Sequence, residues 1–103
     1  MNKQDITNFL RKYRNFFLSR NVHIIFKKIR KYTGTYDLDK DGEITIVLDP
    51  RWDIIATLIH EVLHYIYPDL CETEILKMES KLVRNLSDRQ LKSILETMIF
   101  CMK

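Results

Sequence analysis

Two histidines four residues apart, with a glutamate directly after the first, are the residues of this chain best suited to chemistry: His60-Glu61-Val62-Leu63-His64. On an α-helix, side chains at i and i+4 stand on one face, so both imidazoles can meet a single tetrahedral ion. Glu61 points to one side of that pair. Its carboxylate suits a water on the ion better than the ion itself, which is the position of a general base in hydrolysis. The expected roles are His60 and His64 as ligands of Zn2+ and Glu61 as catalytic base.

A catalytic zinc usually takes three protein ligands, so a third donor must come from nearby. Glu72, Glu74 and Glu79 all fall in the next helical segment. Glu74 groups with Lys77, Lys81 and Asn85 on a polar face, an ordinary charge near a helix N-terminus. Glu72 and Glu79 share the apolar face with Ile75, Leu76, Leu82 and Val83, where an uncompensated carboxylate is costly. If the turn at 68–71 is tight, the two helices run antiparallel and residues whose numbers sum to about 139 share a level. That level favours Glu79 as the third ligand and leaves Glu72 nearer the turn. Glu72 and Glu74 remain the alternatives.

The elements that must hold these residues are legible from periodicity. Ile6, Phe9, Leu10, Tyr13, Phe16 and Phe17 recur at spacings of three and four and predict an amphipathic helix over 3–19. Val22, Ile24, Ile25 and Phe26 predict a strand. A β-rich run over 43–48 follows Asp41-Gly42, where glycine suits the positive φ of a tight hairpin. Asp37, Asp39, Asp41 and Gly42 also match the first half of a calcium loop, but its twelfth position is Leu48 instead of a bidentate glutamate, so a turn is the expectation. Asp49 and Pro50 are expected to start the zinc helix, which Pro68 stops. A third helix starts near Glu72, and Ser87 with Gln90 predicts a capping box for a fourth. The fold class is therefore α+β: an N-terminal helix, a small antiparallel sheet of about three strands, then three helices.

The 103 residues make one domain, with 46% apolar residues and a net charge of +3. Basic residues gather at Arg11, Lys12 and Arg14 and again at Lys27, Lys28, Arg30 and Lys31, which reads first as a solvated face and only weakly as a nucleic-acid surface. Cys71 and Cys101 form neither a disulfide framework nor a zinc module and are expected reduced. No signal-peptide core or membrane-length apolar run is visible, so no membrane association and a cytoplasmic location are expected. His23, alone in a strand, is expected to be structural rather than a cleft residue.

The segment 52–86 resembles the zincin metallopeptidases, and a glutamate third ligand is similar to the gluzincin branch. The length is similar to that of the minigluzincins, which carry a zinc helix and a glutamate helix on a small sheet. This resemblance implies a peptidase: zinc polarises the scissile carbonyl and lowers the pKa of its water to about 7, and Glu61 moves the proton to the leaving amine. It also implies that the strand at 43–48 pairs with an extended peptide substrate. Tyr65 and Tyr67 are candidate phenol donors to the oxyanion. Two departures stand out: only fourteen residues separate His64 from Glu79, and the lower half of a two-lobed cleft is missing. Latent relatives imply that self-association, the helix at 88–102 or the N-terminal segment covers the site. A zinc-stabilised binding module, with or without nucleic acid, is the rival class.

Overall fold

Apolar residues spaced three and four apart do build the first helix, α1 (Lys3–Ser19), with Ile6, Phe9, Tyr13, Phe16 and Phe17 buried. In this computed structural model, which describes residues 2–19, 21–29 and 34–102, the chain continues through β1 (Asn21–Phe26), β2 (Gly34–Leu38) and β3 (Glu43–Leu48). Three helices follow: α2 (Ile54–Ile66), α3 (Glu72–Asn85) and α4 (Asp88–Phe100). This is the expected α+β order. Arg30 and Lys31 of the second basic cluster lie outside the described residues.

The hairpin between β2 and β3 closes where glycine predicts it, with Gly42 at φ 84°. Asp39 Oδ1 accepts the N–H groups of Asp41 and Glu43 at 2.9 and 3.0 Å, so the Asp39 carboxylate serves the turn. The sheet as a whole is not antiparallel. Its order is β1-β3-β2, and β1 runs parallel to β3 in the register Asn21↔Glu43 to Phe26↔Leu48. The reason is burial: Ile44, Ile46 and Leu48 are fully buried, so β3 takes the centre, while only Gly34 of β2 is buried.

This topology corrects the expectation that residues 43–48 pair with a substrate. Both edges of β3 are already occupied, by β1 and β2. The outer edge of β1 is met by the C-terminal segment, where the Ile24 N–H donates to Cys101 O at 3.0 Å. Among the described residues, the outer edge of β2 pairs with no strand.

The start of α2 also differs from expectation. Its N-cap is Asp53, whose carboxylate accepts the N–H groups of Ile55 and Ala56, both at 3.1 Å. Asp49 is buried and otherwise engaged, accepting from Ile29 N–H, Arg51 N–H and the Arg51 guanidinium. A carboxylate saturated this way has no lone pair left for a helix end, so the cap moves four residues on.

Leu58, Ile59, Val62 and Leu63 of α2 are fully buried with Ile24, Ile44 and Ile46 of the sheet, Ile75 and Leu82 of α3, and Ile94 of α4. Each such side chain contributes about 1.5–3 kcal/mol on leaving water. The Ser87–Gln90 capping box opens α4 as expected. Among the described residues, no helix is long and apolar enough to cross a membrane.

Candidate metal centre

With one side of α2 committed to the core, a second stripe at helical spacing lines a cleft: Asp53, Thr57, His60 and His64. A matching stripe on α3, Glu72, Leu76 and Glu79, stands opposite. Together with Gly34, Thr35 and Tyr36 of β2 and with Trp52, these residues line an open cleft of about 850 Å³. Gly34 makes the sheet's close approach to α2 feasible, because a Cβ there would stand 2.5 Å from Thr57 Cγ2.

At the centre of the cleft, three donor side chains converge. His60 Nε2 and His64 Nε2 are 3.1 Å apart. Glu72 reaches both, with Oε1 2.8 Å from His60 Nε2 and Oε2 2.7 Å from His64 Nε2. One ligand atom from each residue falls within 4.8 Å of the others, so the group can hold a metal ion. A tetrahedral ion with ligand bonds of about 2.1 Å separates its donors by about 3.4 Å, so this triangle fits after opening by several tenths of an ångström. Two imidazoles and a carboxylate also form a donor set suited to zinc.

The expected Glu79 is not part of this triangle. The level argument does place it opposite His60, but on the wrong nitrogen: Glu79 Oε1 lies 3.7 Å from Nδ1 of His60. The first turn of α3 brings Glu72 to the Nε2 side, where both imidazoles point. Glu72, which the level along the helix sets nearer the turn, is 58% exposed, whereas Glu79 is only 17% exposed. Glu74 stays on the outer face, beside Cys71 Sγ and in a groove against α1.

Glu61 is buried in the cleft wall. Burial pushes its carboxyl above the usual range, opposed by the two imidazoles and reinforced by Glu72 and Glu79. Burial likewise raises Glu79, with His60 opposing.

Neither Tyr65 nor Tyr67 lines the cleft. Tyr65 stacks on Phe16 at 4.7 Å, and the Tyr67 hydroxyl accepts from Lys12 Nζ at 3.1 Å on the α1 side. The phenol that does line the cleft is Tyr36. Tyr36, Trp52 and Leu76 are among the lining residues that the sequence does not single out. Leu76 was expected inside, yet it is half exposed at the rim. Its i+4 spacing from Glu72 and i−3 from Glu79 was the available signal.

His23 lies outside the cleft lining, 3.9 Å from Glu43 through Nε2, with a buried Nδ1 that has no hydrogen-bond partner among the described residues. Among the described residues, α1 and α4 contribute nothing to the lining. No protein-family model, curated protein or solved structure matches this chain. The functional reading therefore rests on the geometry of the cleft.

Proposed function

We propose that this protein is a zinc-dependent peptidase, with the metal held by His60, His64 and Glu72 and with Glu61 as general base. The observation that carries the reading is the convergence of three donor atoms beside a buried glutamate in an open cleft. Zinc, when bound, supplies a Lewis acid that polarises a carbonyl and acidifies water. Glu61 takes the proton of the attacking water and returns it to the leaving amine. A raised carboxyl suits that exchange, because a base with a higher pKa holds the proton long enough to pass it on. Tyr36 offers a hydroxyl to the developing oxyanion. The unpaired edge of β2, whose Gly34, Thr35 and Tyr36 line the same cleft, offers backbone groups to an extended peptide.

Zinc-loaded wild-type protein is expected to release peptides from an unstructured substrate, and a chelator should stop it. Glu61→Gln should lower that rate by at least about 100-fold while zinc affinity stays unchanged. Equal rates for wild type and Glu61→Gln would end the peptidase reading. If zinc then still raised the melting temperature, the ion would be a staple between α2 and α3, and the chain a zinc-stabilised binding module.

A further inference from the structure

Glu79 is a half-hidden carboxylate that the proposed chemistry leaves without a role. Its side chain is 17% exposed, and among the described residues its only ion-pair neighbour is the imidazole of His60. A carboxylate placed among apolar side chains needs a donor to offset its lost hydration. Lysine or arginine would supply one at the ordinary ion-pair distance, yet none among the described residues does so.

The position of Glu79 around the ring is specific. His60 is bracketed by two glutamates two helical turns apart on α3, Glu72 at Nε2 and Glu79 at Nδ1. A neutral imidazole carries one proton, and the nitrogen that keeps it decides which nitrogen can bind a metal. A carboxylate at Nδ1 favours the proton there and leaves the Nε2 lone pair aimed at His64 and Glu72.

We propose that Glu79 is a positioning residue for the metal centre, accepting the Nδ1–H of His60 and so fixing the tautomer and ring orientation that let Nε2 ligate. The inference rests on the metal reading above and goes beyond it, since it gives the second glutamate of α3 a role distinct from ligation. The 3.7 Å separation stands just outside hydrogen-bond range. The donor triangle is tighter than a tetrahedral ion requires, so its donors must move apart when an ion enters, and the proposed Nδ1–H bond belongs to that loaded arrangement. Such outer carboxylates typically carry about 10–100-fold in metal affinity.

The test compares wild type, Glu79→Ala, Glu79→Gln and Glu72→Gln by zinc competition titration and by the visible spectrum of the cobalt(II) form. Glu79→Ala should weaken zinc binding by about 10–100-fold and leave the cobalt band shape unchanged, because no ligand is lost. Glu79→Gln keeps an acceptor oxygen and should recover part of the affinity. Glu72→Gln should change the band itself. Metal-free melting curves identify any variant that fails to fold, and the near-isosteric Glu79→Gln keeps the test open in that event. Unchanged zinc affinity in Glu79→Ala, or a cobalt spectrum altered in either Glu79 variant, would overturn the positioning role. Failure of wild type to bind zinc or cobalt would instead overturn the metal reading beneath it.

Discussion

Two carboxylates on one helix meet different nitrogens of His60, Glu72 at Nε2 and Glu79 at Nδ1, and the roles proposed for them follow from that difference. The HExxH pattern made His60, Glu61 and His64 legible, since spacing alone puts them on one helical surface. That Glu72 rather than Glu79 completes the donor triangle is not legible, because a level along a helix says nothing about the direction from which a side chain approaches a ring. Gly34 is another residue whose meaning appears only in three dimensions. A Cβ at this position would come 2.5 Å from Thr57 Cγ2 and 3.1 Å from Val47 O. Gly34→Ala must therefore push β2 away from α2, one turn from His60. The expected cost is about 1–3 kcal/mol, read as a fall in melting temperature, together with slower zinc-dependent turnover. Thr57→Ser removes the obstructing methyl but keeps the hydroxyl that donates to Asp53 O at 2.8 Å. It should recover most of the loss in the double variant. A double variant no more stable than Gly34→Ala would show that the clash is not with Thr57.

At the scale of elements, local signals were read well and non-local ones were not. The hairpin at Gly42 and the Ser87–Gln90 box depend on neighbours within four residues, and both appear as expected. The parallel pairing of β1 with β3 joins strands that β2 separates along the chain, which no local pattern encodes. Even so, Ile44, Ile46, Val47 and Leu48 mark β3 as more apolar than β2, which was a sign of its central position. The cap of α2 shows the same limit, since Asp49 and Asp53 both precede the apolar run and only tertiary partners distinguish them. Asp53→Ala should destabilise the fold by about 1 kcal/mol, whereas Asp53→Asn, itself a good cap, should change it little. Equal melting temperatures for Asp53→Ala and wild type would remove Asp53 as the cap. Because Asp53 also lines the cleft, its alanine variant should bind zinc less tightly in proportion to fraying of the first turn of α2.

At the scale of the molecule, Asp49 ties together the segments that bring β1, β3 and α2 around the cleft. It ends β3, its Oδ2 accepts the Ile29 N–H at 3.0 Å just after β1, and Arg51 Nη2 donates to it at 2.6 Å just before α2. Arg51 also donates to Ile29 O at 3.3 Å, which closes a small network. The Arg51 side chain and the Ile29 N–H hold the Asp49 carboxyl well below the usual range, against the opposing effect of burial. A carboxyl depressed in the folded state stabilises it above the unfolded pKa of about 3.9, and the contribution is lost as pH falls toward the folded value. Asp49→Asn removes the charge at every pH. In metal-free protein, wild type should therefore melt well above Asp49→Asn at pH 7, and the gap should narrow steadily below about pH 4. Measuring both proteins with chelator present cancels every contribution that they share. A gap that stays constant from pH 7 to pH 2.5 would mean that Asp49 acts through shape and neutral hydrogen bonds alone. A gap that closes would show that the charge of Asp49, outside the cleft lining, helps hold β1, β3 and the start of α2 together.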